Sequence, residues 1–247
     1  MDRHILLDGC VNFRDVGGYQ VARSGLPASP PPRMRWRRLF RSDALNELSA
    51  ADVALLTGDL RITTVVDLRT DYERQRDAPR PLDRTSVQTI HAPLINERNA
   101  GAAERPGLTL AERYVWILEL AGEPLVRAIA TVAGAPGAVI VHCAAGKDRT
   151  GLVIASILGA LGVGDDDIVA DYARTTDSLE GIEQRLLRRS ESYETVPGAV
   201  LDAPAEAMRE VLAALRDQHG SVGGFLSQAG VGQPVLDELA ATLVELP

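Results

Sequence analysis

Up to Arg149, short apolar and β-branched runs alternate with stretches whose apolar positions recur every three or four residues. Beyond Arg149 the helical spacing continues nearly to the end. "RITTVVDLR" (61–69) reads as a buried parallel strand, and "TDYE" (70–73) as a Thr-x-x-Glu capping box that starts a short helix. "SVQTIHAPL" predicts a second strand, "TLAERYVWILEL" and "EPLVRAIATVAG" two helices, and "GAVIVH" (137–142) a further short buried strand. "DDDIVADYARTTDSLEGIEQRLLRRSESYE", "APAEAMREVLAALRDQHG" and "QPVLDELAATLVEL" carry the helical C-terminal half. Strands alternating with helices predict an α/β fold, a mainly parallel central sheet flanked by helices. Ligands of such sheets bind beyond the carboxyl ends of the strands, where both "TVVD" and "VIVH" end in polar residues. No repeat or long linker interrupts the pattern, so residues 1–247 are expected to form one domain.

Charge and composition narrow the class. A net charge of −8 argues against nucleic acid as a partner, despite the basic run "RMRWRRLFR" (33–41). After the Pro-rich "LPASPPP", that run reads as a half-exposed strand, arginines outward and Met34, Trp36 and Leu39 partly inward. "GLVIASILGALGVG" is about one helix long, a buried helix rather than a membrane span, and no stable membrane insertion is expected. The N-terminus lacks the apolar run of a signal peptide, and two cysteines, Cys10 and Cys143, make no disulfide framework. A cytoplasmic protein is expected. His4, His91, His142 and His219 are scattered, so neither metal nor cofactor is expected.

The chemistry concentrates in "VIVHCAAGKDRTG" (139–151). Ala144, Ala145 and Gly146 let the backbone curl and aim successive N–H groups inward, a nest for a tetrahedral anion at a helix N-terminus. Arg149 can clasp two phosphate oxygens, and Cys143 lies at the bottom of the same ring of donors. Such surroundings favour the thiolate, a nucleophile aimed at phosphorus. A nucleotide-binding loop fails on spacing, because Val141 takes the first glycine position and Asp148 follows Lys147. His142 is badly placed as a base for Cys143, since strand neighbours point to opposite faces, and is expected to brace the loop.

His-Cys-x5-Arg-Thr-Gly resembles the signature of the cysteine-dependent tyrosine phosphatases, and "HCAAGKDRTG" its atypical bacterial and fungal branch. "NFRDVGGY" (12–19), "LFRSDAL" (39–45), "VVDLR" (65–69) and "GSVGGFL" resemble that branch in the same order. The resemblance implies a phosphotyrosine phosphatase-like fold, a phosphocysteine on Cys143, and phosphate binding by Arg149, Thr150 and the loop backbone. It implies a phosphorylated protein or a phosphoinositide as substrate, with Lys147 meeting a second phosphate or an acidic group at the rim. Asn12, Arg14 and Asp15 are expected to pin the loop from behind. The general acid is either Asp67, at the end of its strand, or Asp148, inside the loop; there is no Trp-Pro-Asp tripeptide. Asp67 equally suits an ion pair with Arg69 or a helix cap, and Asp148 equally suits the orientation of a neighbouring Arg or Lys. A phosphate-reading module without turnover, and a rhodanese-like sulfur transferase, are the competing classes; the latter leaves "NFRDVGGY" unexplained. Residues 174–205 form a candidate lid insertion, with a thin apolar stripe of Leu179, Ile182, Leu186 and Leu187. Cys10 is either a small buried side chain or a thiol that captures oxidised Cys143. Oligomeric state stays open.

Overall fold

A computed structural model describes residues 3–22, 30–77, 80–102, 106–189 and 202–247. Two-residue strands β1 (Arg14–Asp15) and β2 (Arg33–Met34) precede β3 (Leu39–Ser42), β4 (Ile62–Asp67), β5 (Gln88–His91) and β6 (Ala138–His142). The central sheet has the order β1-β3-β6-β4-β5, with β1 antiparallel to β3 and the other pairings parallel. Every residue of β6 is buried, as befits a central parallel strand covered on both faces. Its register sets Ser42 and Asp67 on either side of His142 at the carboxyl edge.

Alternation along the strands divides the core. Leu39, Val66, Val139 and Val141 join the larger hydrophobic cluster, whereas Phe40, Val65 and Ile140 join a second cluster with Cys10 and Phe13. That second face is covered by the N-terminal segment and by α1 (Ala50–Ala54), with Phe13 and Phe40 stacked at 5.3 Å. Helix α2 (Asp71–Arg76) begins at the predicted capping box of Thr70 and Glu73. Helices α3 (Leu110–Ala121), α4 (Glu123–Gly134), α5 (Asp148–Leu161) and α6 (Asp165–Ala173) supply the larger cluster. A 3-10 turn (Arg174–Ser178) leads into α7 (Leu179–Arg189). The chain then adds α8 (Ala205–His219), α9 (Val222–Gln228) and α10 (Gln233–Leu243). Ten of the fourteen residues of α5 are buried, which accounts for its apolar sequence. Among the described residues no helix is long and apolar enough to cross a membrane.

The basic run is not one strand. It breaks into β2 and β3 around Arg37, whose φ is +60°, and β2 pairs with a C-terminal strand, β7 (Val244–Glu245). Met34 and Leu39 point inward as expected, but Arg41 is fully buried rather than outward. Its guanidinium finds an acceptor and a carboxylate beneath the loop, which is what makes burial of the charge tolerable.

Candidate active site

Residues 143–147 connect the end of β6 to the first turn of α5, and the protein holds their carbonyls from outside. Asn12 Nδ2 donates to the Ala145 carbonyl at 3.0 Å, Arg41 Nη2 to that of Gly146 at 2.7 Å, and the Ala44 amide to that of Ala144 at 3.1 Å. The His142 ring Nδ1 lies 3.1 Å from the Cys143 carbonyl. In a planar trans peptide the N–H points away from the carbonyl. Tethering four successive carbonyls outward therefore turns the following amides toward the interior of the loop. The Gly146 amide does reach Cys143 Sγ, at 3.3 Å. Gly146 has φ +69°, and a Cβ there would lie 2.5 Å from the Ser42 carbonyl, so this position admits only glycine.

Arg149, in the first turn of α5, is fixed by Glu73 of α2. Nη1 and Nη2 meet the two carboxylate oxygens at 2.6 and 2.7 Å, a bidentate fork. Burial would raise the Glu73 pKa, but Arg149 and the Thr70 cap bring it down to about 2. Glu73 thus serves two ends, since its Oε2 also caps α2 through the Thr70 amide at 2.8 Å.

The two acid candidates stand in different surroundings. Asp67 is buried and accepts from Arg69 Nε and Nη2 at 3.0 and 2.8 Å, with Arg74 at 3.2 Å and His142 Nε2 at 3.6 Å. Burial opposes ionisation, yet His142 and Arg69 outweigh it and hold the carboxyl well below the usual range. Asp67 is ion-paired with both Arg69 and Arg74. Asp148 is more open, its side chain 37% exposed. It takes a hydrogen bond from the Tyr114 hydroxyl, and Lys147 Nζ stands 3.3 Å away. Lys147 is no solvated rim lysine: it is buried, and Nζ donates to the Asp202 carbonyl at 3.0 Å. Thr150 is fully buried, and its Oγ1 has no hydrogen-bond partner among the described residues.

A model of the tyrosine phosphatase family matches residues 5–245. The chain belongs to the tyrosine phosphatase family. Over 96% of its length it is 30% identical to the triple specificity protein phosphatase PtpB of Mycobacterium tuberculosis, of which it covers 98%. It is also similar to a tyrosine-protein phosphatase of Nostoc commune, 34% identical over 43% of this chain and 39% of that one. Among solved structures, P. aeruginosa TpbA in complex with pTyr matches with a TM-score of 0.39 and 19% identity, over 86% of this chain and 98% of that one. This chain is a protein phosphatase of the atypical bacterial kind.

Behind the loop of this phosphatase lies a buried polar cluster. Arg14 Nη1 donates to Asn12 Oδ1, and its Nη2 to the Asp171 carbonyl at 2.8 Å. Asp171 of α6 also pairs with Arg41 at 2.5 Å. Two guanidiniums share this one carboxylate, so the cluster leaves a positive charge under the loop, the sign that suits an anion above it. Asn12 thus touches the loop directly, and Arg14 reaches it only through Asn12. Asp15 instead accepts from the Gly17 and Arg37 amides and shapes the N-terminal turn.

Helix α7 lies over the loop from the other side, with Ile182 and Leu186 packed on Ala144 beside Val11 and Ala145. Leu187, the fourth residue of the expected stripe, is 41% exposed. Residues 190–201 of the candidate lid lie outside the described residues.

Sequence reasoning missed Glu73, Tyr114, Tyr172, Asp171 and Arg41 as parts of the site. Glu73 was visible only as a cap, because position N3 already explains a glutamate. The cue for Arg41 was its place in "LFRSDAL", one of the segments that travel with the loop motif.

Proposed function

We propose that this phosphatase hydrolyses phosphomonoesters, without a metal, through a phosphocysteine on Cys143. The observation that carries the reading is the loop whose carbonyls are tethered outward and whose Gly146 amide reaches the Cys143 sulfur. In the first step Sγ attacks phosphorus as the P–O bond to the leaving group breaks, with Arg149 and the loop amides holding the three equatorial oxygens. Asp148 gives its proton to the departing oxygen. In the second step water attacks phosphorus, Asp148 takes a proton from it, and the S–P bond breaks to free phosphate. Asp148 receives the acid's role because Asp67 is locked as a carboxylate between arginines. The Thr150 hydroxyl, buried beside this machinery, serves the bound thiolate or phosphate.

The substrates are read as phosphotyrosine proteins first, with phosphoserine, phosphothreonine and phosphoinositides as further classes, in line with the triple specificity of PtpB. The segment 174–205 is read as a lid whose helix α7 rests on the loop. With no thiol pair formed and a net charge of −8, the reading places the enzyme in the cytoplasm, with no nucleic acid partner and no stable membrane insertion.

Cys143→Ser tests the mechanism: turnover should vanish while inorganic phosphate still binds, and EDTA should leave the wild type unaffected. Residual activity within about tenfold of wild type would overturn the covalent route. Phosphate binding without turnover in the wild type, across a panel of the four substrate classes, would favour the phosphate-reading module instead.

A further inference from the structure

Asp148 is the end of a chain of hydroxyl groups. Tyr114, from the inward face of α3, donates to Asp148 Oδ1, and its oxygen lies 2.8 Å from the hydroxyl of Tyr172 on α6. The rings meet edge to face at 6.3 Å, and Tyr172 packs closely on Gly151 in the second turn of α5. Both tyrosines are buried, at 2% and 1% exposure. With the Tyr114 hydrogen committed to the carboxylate, the Tyr172 hydrogen is the one directed at the Tyr114 oxygen.

We propose that Tyr114, supported by Tyr172, is a positioning residue for Asp148, fixing which carboxyl oxygen faces the leaving group. The inference rests on the reading of Asp148 as the general acid. Because Oδ1 is occupied as an acceptor, the transferable proton resides on Oδ2. When that proton goes to the leaving-group oxygen, the carboxylate left behind keeps the Tyr114 hydrogen bond, so the same contact serves the base of the second step. Tyr114 remains a donor throughout, since burial first and the Asp148 charge second push its own ionisation far above the working range. The other charged groups around the pair are Lys147 and Arg149 from the loop, and Arg41 and Asp202 near Tyr172.

Tyr114→Phe removes a hydrogen bond that the ionised carboxylate accepts, so it should move the basic limb of the kcat–pH profile upward. It should also lower kcat about tenfold for an aryl phosphate with a poor leaving group, and hardly at all for one with a good leaving group, which needs no acid. Tyr172→Phe, which keeps the direct donor, should shift the limb in the same direction by less, and stands in should Tyr114→Phe fold poorly. Equal losses for both leaving groups with an unmoved limb would make the tyrosines packing groups and overturn the proposal. Asp148→Asn separates this from the reading beneath it. If Asp148→Asn flattens the limb while the tyrosine variants leave it in place, only the positioning role fails. If Asp148→Asn itself leaves the limb in place, the acid assignment fails and the positioning role with it.

Discussion

Glu73 and Arg149 hold each other by two hydrogen bonds of 2.6 and 2.7 Å, joining the helix after β4 to the first turn of α5. The pair fixes the plane of the guanidinium before any phosphate arrives, so Arg149 need not give up side-chain freedom on binding. Glutamine keeps the capping function of this position but removes the charge. Glu73→Gln is therefore expected to lose about 10²-fold in kcat/KM together with part of the stability that the ionised pair supplies, and Glu73→Ala about 1 kcal/mol more with the cap. Thermal unfolding alongside phosphotyrosine kinetics checks both; wild-type kinetics in Glu73→Gln would mean that Arg149 orients itself.

His142 predicts a pH dependence of stability. Burial, only partly offset by Asp67, lowers its pKa from 6.5 to about 4. Between those values the unfolded chain binds a proton that the folded one refuses, so stability is full above about pH 6.5 and falls as the pH drops toward 4. The loss across that window is on the order of 2–3 kcal/mol. Asp43, whose carboxyl burial pushes up, acts in the opposite sense at the acid end. The comparison with His142→Gln removes such contributions: the variant's denaturant midpoint should change less between pH 7 and pH 5 than the wild type's. Parallel pH profiles would refute the assignment to His142.

Gly146 is open to a sharper test. With φ at +69° and the Ser42 carbonyl 2.5 Å from where a Cβ would stand, alanine must displace the backbone of β3 or the loop. Moving the loop would turn the Gly146 amide off the Cys143 sulfur, so Gly146→Ala should lower kcat at least tenfold. Phosphate affinity and kcat should fall together; an unchanged kcat would show that the loop tolerates the shift.

The loop and the strands β4 and β6 were legible because their signals are local. A buried parallel strand is a run of apolar residues, and a capping box or a Cys-x5-Arg loop has fixed spacing. The partners of the arginines were not, because a charge held inside the fold depends on a partner far along the chain. Arg41 finds Asp171, and Arg149 finds Glu73, across separations that no window of sequence spans. The same holds for β7, two residues long, which exists only because β2 is there to pair with it. Asp67 and Asp148 could not be ranked from sequence because both lie at the right sheet edge. What separates them is company: arginines around one, a tyrosine hydroxyl and partial exposure for the other. Cys10 is buried in the second cluster with its thiol pushed up, first by burial and then by Asp43, which accords with the small apolar side chain rather than a reactive thiol.

The last prediction concerns how α7 is held against the loop. Only Ile182 and Leu186 of its stripe are buried, and each contributes roughly 1.5–3 kcal/mol. Its polar anchor is Arg185, buried, 3.3 Å from Asp43 and 3.5 Å from Glu47. Asp43 in turn accepts the Val11 and Asn12 amides, so the anchor grips the same segment that tethers Ala145. Such a contact is small enough to open locally without unfolding the sheet. Amides of residues 179–189 are therefore expected to exchange faster than those of α5. Arg185→Met should speed them further, because it leaves Asp43 buried without its counter-charge. If α7 is the moving cover, the same variant should lower KM for a bulky phosphopeptide more than for a small aryl phosphate. Exchange in α7 as slow as in α5, unchanged by Arg185→Met, would make it an ordinary packed helix and remove the lid from the reading.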